Sequence, residues 1–296
     1  MTNRSFPIQK HAPCAVALGN FDGVHAGHAA LIALGAARAK ERGLPLVALT
    51  FLPESLPHPP AFLSGKEERE ALLLAAGADE VAFLPFGEVR TMSPEGFVRE
   101  ILISRFDAML AVTGFNYRFG YRAAGDAALL CRLFREAGRD AVIADAVLYD
   151  GAPVSSSRIR EALAKGEVDA ASAMLRRPVS WSLPVLHGKA LGRTLGFPTV
   201  NQVPPAGHAL PRHGVWVSEV SIGGVRYPAL TNVGVRPTVD AHGTVDFETW
   251  IRGYQGDLYG ETLTVTLKKF LRDERRFSSE EELKKQIEVD KNAIES

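Results

Sequence analysis

Through the first half of the chain, short apolar runs alternate with longer stretches of helical length, and this alternation stops near residue 180. The runs at 14–18, 44–51, 80–84, 108–113 and 141–146 are largely apolar on successive residues, the pattern of strands buried on both faces of a parallel sheet. Segments 29–42, 64–76, 93–105 and 127–137 between them have the length of helices. Ser64 followed by Glu67 is a capping-box pattern, and Ser93-Pro94 sets proline at a first helical position, where its missing N–H costs nothing. Five alternations of strand and helix predict an α/β domain with a parallel sheet wrapped on both faces. Pro53, Pro57, Pro59 and Pro60 make 52–63 a loop at the carboxyl end of the second strand, where ligands bind in open sheets of this kind.

Beyond about Ser180, β-rich runs at 215–222, 225–233, 245–251 and 263–270 take over, separated by Gly and Pro. Gly223-Gly224 joins the first two as a two-residue hairpin. A small antiparallel sheet or barrel is expected. Ser278 and Glu281 read as a capping box for a final helix that carries Leu283, Ile287 and Ile294 on one side and covers that barrel. The predicted domains are therefore 1–180 and 181–296.

Composition narrows the function. At 46% hydrophobic and 23% charged, 296 residues are enough for two ordinary globular cores. Lys plus Arg and Asp plus Glu both total 34, so no overall basic field points to nucleic acid and any anion site must be local. Cys14 and Cys131 are far apart and have no zinc spacing. Residues 1–10 lack an apolar leader core, and there is no run of about 18 apolar residues to span a membrane, so the expected compartment is the cytoplasm. The sequence carries no indication of oligomeric state.

The candidate chemistry begins at Gly19-Asn20-Phe21-Asp22-Gly23-Val24-His25-Ala26-Gly27-His28, between the first strand and the first helix. Gly19, Gly23 and Gly27 allow a sharp turn close to a ligand, and the first N–H groups of a helix attract anions. His25 and His28, three residues apart, supply donors for a pentacoordinate phosphorus; Asp22 with the same two histidines also has the makings of a metal site. Ser155, Ser156, Ser157 and Arg160 stand at another helix start, where one serine suffices for capping and the surplus hydroxyls and arginine suit a polyphosphate.

A second constellation runs from Gly188 through Gly192 and Gly196 to Thr199 and Asn201. Its glycines could fold around a nucleotide tail, and the Thr199 hydroxyl and Asn201 amide oxygen are hard ligands suited to Mg²⁺. Glu248 lies in the 245–251 strand, where alternation reads it as solvent-facing; aimed at a ligand, it would be a general base.

Taken in order, Gly19 to His28, Gly114 to Gly120 with Gly125-Asp126, Ser155 to Arg160, Gly192 to Asn201, Asn232 to Thr238 and Asp257 to Gly260 resemble the bacterial bifunctional riboflavin kinase/FAD synthetase family over nearly the whole chain. The resemblance implies a Rossmann-like N-terminal FMN adenylyltransferase of the HxGH type and a C-terminal riboflavin kinase on a six-stranded β-barrel. Riboflavin, FMN and ATP would be the substrates and Mg²⁺ the cofactor. By motif, Gly19, Phe21, Asp22, Gly23, His25 and His28 would serve ATP and its phosphates, with Ser155, Ser156, Ser157 and Arg160 on the triphosphate tail. Asn116 and Arg118 would contact flavin. In the kinase, Gly188, Gly192 and Gly196 would cradle phosphate, Thr199 and Asn201 would bind Mg²⁺, and Glu248 would accept the proton of the riboflavin 5′-hydroxyl. Two segments depart from the family pattern. Thr50-Phe51-Leu52-Pro53-Glu54-Ser55 stands where Thr-Phe-Glu/Asp-Pro-His-Pro is usual, and Glu248-Thr249-Trp250 replaces Glu-Val-His. The first departure leaves open a kinase with a degenerate or differently specific first domain, and a non-catalytic flavin or nucleotide sensor is the reading outside enzymology.

Overall fold

The structure, a computed structural model, describes residues 11–57, 61–187, 197–235 and 245–294. Its contacts gather into two units, Met1–Ser156 and Ser157–Ser296.

In the first unit β1 (Cys14–Leu18), β2 (Leu46–Phe51), β3 (Glu80–Leu84), β4 (Ala108–Gly114) and β5 (Asp140–Ala144) form one parallel sheet in the order β3-β2-β1-β4-β5. The continuous apolar run of β1 serves two cores. Cys14, Val16 and Leu18 pack on one face with Phe97, Leu102, Leu130 and Phe134, while Ala15 and Ala17 pack on the other with Leu31, Ile32 and Leu73. Helices α1 (Ala26–Lys40) and α2 (Lys66–Ala75) supply the second of these faces. The first is covered by α3, which begins at Pro94–Gly96 and continues π-wound over Phe97–Arg105, and by α4 (Ala127–Glu136). Both helix starts are capped by side chains: Ser93 Oγ accepts the Gly96 N–H, and Asp126 accepts the Leu129 N–H. The α/β class with a double-wrapped parallel sheet is as the apolar pattern predicted.

Ser64, however, does not cap α2. Gly65 is the N-cap and makes no side-chain bond there. Ser64 Oγ instead accepts the N–H of Gly23, 2.9 Å away, because a hydroxyl buried beside a strained turn is better used on that turn's orphan donor than on a helix end.

The second unit opens with α5 (Ser156–Lys165) and α6 (Val168–Leu175). Its six antiparallel strands are β6 (Ser180–Pro184), β7 (Thr199–Gln202), β8 (Gly214–Ile222), β9 (Val225–Val235), β10 (Val245–Ile251) and β11 (Thr262–Arg272), in the order β6-β11-β8-β9-β10-β7. The ring is drawn shut where the Leu186 N–H reaches Asn201 O (2.8 Å) and the buried Gln202 amide donates to Leu183 O and Leu263 O. Trp216 fills the core, its Nε1 donating to Arg212 O and its ring meeting Phe270 edge-on. Gly223 and Gly224, at φ 56° and 81°, make the expected tight hairpin between β8 and β9. The end of α5 is tied to the barrel by the Arg212 N–H to Leu163 O and by Phe270 against Gly166.

The closing helix α7 (Glu280–Asn292) starts one residue later than the capping box placed it. Ser279 accepts the Glu282 N–H as N-cap, while the Glu282 carboxylate reaches one residue further back and accepts from the Ser278 N–H and hydroxyl, so the cap is built on Ser279 and Glu282 with Ser278 rather than on Ser278 with Glu281. A bidentate Arg272–Asp290 pair holds the helix to the end of β11.

Candidate active sites

The turn after β1 leaves the sheet at its carboxyl edge and enters α1 with His25 as N-cap. His25 Nδ1 accepts the His28 backbone N–H at 3.4 Å, which places the neutral ring's proton on Nε2. The two imidazoles stack at 3.6 Å between centroids and 17° between planes. Gly27 makes this possible, since a Cβ there would press on the His25 ring at 3.2 Å. Phe21, fully buried, meets His28 edge-on at 5.2 Å. Burial, reinforced by His25 and by the Arg69 guanidinium, holds the His28 pKa well below its usual value. His28 Nδ1 is buried with no partner among the described residues. His28 is therefore neutral at neutral pH, stacked on His25.

Among the described residues, Asp22 and the two histidines do not gather into a cluster that could hold a metal ion. Asp22 Oδ1 accepts the N–H groups of Leu63 and Ser64 and a bond from Arg69 Nη2, all within 3.3 Å, and its carbonyl accepts Ser156 Oγ at 2.9 Å. Its place in the site is to shape the turn.

A cleft of about 310 Å³ opens beside this turn. Gly19, Phe21 and His28 line one side of it; Asn116 and Arg118, from the loop after β4, line another. Phe51, Leu84, Phe97 and Tyr117 complete an apolar wall. Of the residues sequence reading named for adenosine phosphates and for flavin, Gly19, Phe21, His28, Asn116 and Arg118 thus border one cavity, whereas Asp22, Gly23, His25 and those beyond residue 154 are not in its lining. Ser155 is partly buried, Ser157 is exposed, and Arg160 Nη2 lies 3.5 Å from Ser157 Oγ.

In the second unit, register brings together what sequence spacing separates. Asn201 on β7 lies directly opposite Glu248 on β10, and Glu248 lies opposite Asn232 on β9. Directly opposed residues project to the same side, so these three form a row across three strands, with Thr199 opposite Trp250 one alternate position along. Phe247, Thr249 and Ile251 face the barrel interior, which leaves Glu248 exposed on the outer face. Solvent-facing by alternation and a candidate base by position are thus compatible descriptions of the same residue. Gly188, Gly192 and Gly196 lie outside the described residues, as do Arg236 to Thr238 and His58-Pro59.

Comparison with known proteins agrees with both halves. A family model for FAD synthetase matches residues 8–158, and one for riboflavin kinase matches 175–296. A bifunctional riboflavin kinase/FMN adenylyltransferase of Pseudomonas fluorescens is 36% identical, covering 95% of this chain and 92% of its own length. The protein of the same description from Escherichia coli K12 is 34% identical, over 94% and 90%. The chain belongs to the bifunctional riboflavin kinase/FMN adenylyltransferase family. A solved structure described as a macrolide-efflux protein from Streptococcus pneumoniae shares the fold, at 31% identity and a TM-score of 0.85 over 97% of this chain and 95% of that one. Among the described residues no helix is long and apolar enough to cross a membrane.

Several side chains at these sites were not singled out by sequence. Arg69 and Thr50 both donate to Asn20 O, Tyr117 joins the cleft wall, and Lys291 from α7 sits 5.2 Å from the ring centroids of both Phe197 and Trp250. Glu274 accepts from Asn232 Nδ2 at 3.1 Å, on a path that a Cβ at Gly234 would block. None belongs to a motif of fixed local spacing.

The depressed His28 pKa has a measurable sign. Below pH 6.5 the unfolded chain protonates this histidine before the folded one does, so its contribution to stability is complete above pH 6.5 and is lost as pH falls towards the folded-state value. Denaturant midpoints of the wild type should fall more steeply between pH 7.5 and pH 5 than those of His28→Gln, in which that titration is absent; parallel slopes would contradict the shift.

Proposed function

We propose that the Gly19 to His28 turn carries FMN adenylylation and that the Asn201–Glu248–Asn232 row carries riboflavin phosphorylation, the two activities of the family to which the chain belongs. The observation that supports the first assignment most directly is the stacked histidine pair, whose His28 borders a cleft that Asn116 also lines. In this reaction a phosphate oxygen of FMN attacks the α-phosphorus of ATP, and the bond to the β,γ-pyrophosphate breaks. The nucleophile is already anionic near neutral pH, so no base is required. His25 and His28, with the N–H groups at the start of α1, would donate to the phosphate oxygens as charge builds on them. Ser155, Ser156, Ser157 and Arg160 are proposed for the tail that leaves, and Asn116 with Arg118 for the flavin side.

In the kinase reaction the riboflavin 5′-hydroxyl attacks the γ-phosphorus, its proton passes to Glu248, and ADP departs. Thr199 and Asn201 present hard oxygens on one face of β7, a donor set suited to Mg²⁺. When bound, that ion would offset charge on the phosphate oxygens. We assign the domains to 1–180 and 181–296, with Gly188, Gly192 and Gly196 as the kinase's phosphate-facing backbone, and place the enzyme in the cytoplasm on the strength of its use of ATP in both steps.

Incubating the full chain with riboflavin, ATP and Mg²⁺ and separating the flavins by chromatography should show FMN rising first and FAD following. FMN without FAD, even from supplied FMN, would remove the adenylyltransferase assignment, and neither product would remove both.

A further inference from the structure

The phosphate turn is conformationally expensive. Phe21, Gly23 and Val24 occupy the left-handed region at φ 48°, 75° and 37°, a backbone that aromatic and β-branched residues adopt only when their surroundings hold them there. What holds them comes from outside the motif. Arg69 of α2, its side chain wholly buried, donates from Nη1 to Asn20 O at 3.0 Å and from Nη2 to Asp22 Oδ1 and Ser64 O at 3.1 and 3.0 Å. Thr50, the penultimate residue of β2, puts a second donor on Asn20 O at 2.9 Å, and Ser64 Oγ takes the Gly23 N–H. Arg69 thus fixes residues on both sides of Phe21, whose ring is the edge contact of His28.

We propose that Arg69 is a positioning residue for adenylyl transfer: its guanidinium locks Asn20 to Gly23 so that His25, His28 and the start of α1 present their donors to the ATP phosphates. The inference rests on the assignment of that turn to adenylylation.

The charge of Arg69 also acts on the chemistry. The groups that bear on His28 are His25 from its own turn and Arg69 from α2, and the cation helps to keep His28 neutral. Arg69 itself remains protonated despite desolvation because Asp22, and more weakly Glu54 and Glu68, oppose the loss of its proton. Glu54 belongs to the departing loop after β2, so one buried cation is felt by the nucleotide turn and by the segment bordering the acceptor side.

The test uses the full chain, FMN, ATP and Mg²⁺, with riboflavin phosphorylation by the same preparation as an internal control. Arg69→Met is expected to lower kcat for FAD formation roughly 100-fold, the scale of an ångström-level misplacement, while the KM for ATP changes far less and FMN formation is unchanged. Arg69→Lys keeps the charge but not the planar fork and should recover part of the rate. The acid limb of the FAD-forming pH profile should move to higher pH in Arg69→Met and stay near the wild-type position in Arg69→Lys. A wild-type kcat in Arg69→Met overturns the proposal, and so does a methionine profile that matches that of the lysine variant. Should Arg69→Met unfold the first unit, as near-ultraviolet circular dichroism would report, Arg69→Gln replaces it; the glutamine amide can still donate to Asn20 O but carries no charge and no fork, must also depress kcat more than KM, and overturns the proposal if it does not. A His25→Ala, His28→Ala double variant separates the two claims. If it is active, the adenylylation assignment itself fails; if it is inactive while Arg69→Met is fully active, only the positioning role fails.

Discussion

Glu248→Gln should lower the rate of FMN formation by about 10²- to 10⁴-fold, the range that a positioned general base supplies, without slowing conversion of supplied FMN to FAD. Glutamine has nearly the same shape and fits the same place in the row between Asn201 and Asn232. What it cannot do is take a proton from the riboflavin hydroxyl. The loss is therefore expected in kcat with little change in the KM for ATP. Because Glu248 is exposed and its strand neighbours Phe247 and Thr249 carry the interior packing, the substitution should leave thermal stability unaltered. Steady-state kinetics with the flavins separated by chromatography decides the matter. Undiminished FMN formation would reject the assigned role.

The mirror-image result is expected in the first unit. His25→Ala and His28→Ala should each cut FAD formation by about 10²- to 10³-fold, comparable to the loss of one donor to a developing oxyanion, and leave riboflavin phosphorylation intact. The two effects should not add. With their rings stacked at 3.6 Å and His25 Nδ1 bonded to the His28 N–H, removing either imidazole disturbs the other, so the double variant should be little slower than the worse single one. Additive losses would mean that the histidines act independently.

The departing loop after β2 is held by hydrogen bonds around Pro53–Ser55: Ser55 Oγ accepts the Phe86 N–H and donates to Leu52 O, and Pro53 is buried. The side of the cleft nearest it is accordingly apolar, from Phe51, Leu84 and Phe97, with the Tyr117 phenol as a polar group whose pKa burial drives upward. In place of the acid and histidine that the sequence comparison expects in this segment stands a hydrogen-bonded turn.

Elements with a periodicity or a turn chemistry of their own could be read from the chain. The apolar run of β1, the proline start of α3 after Ser93 and the Gly223-Gly224 hairpin are each specified by neighbours a few residues away, and the structure contains them. Ser64 shows where such reading ends. Its spacing to Glu67 satisfies the capping rule, yet its hydroxyl goes to Gly23, 41 residues earlier, because burial gives the long-range bond more weight than a helix end that water can serve. β6 and β7 escaped the pattern because they are short and hold polar residues such as Ser182, Asn201 and Gln202, whose partners come from distant strands. The sequence by itself determined which residue types could handle phosphate and in which half each set lies. Only the tertiary structure decided that Asp22 serves Arg69, 47 residues away, and that Asn201, Glu248 and Asn232 share one row. The physical reason is that capping and periodicity act over a few residues, whereas buried charges and strand register are settled by whichever partners folding brings within hydrogen-bond reach.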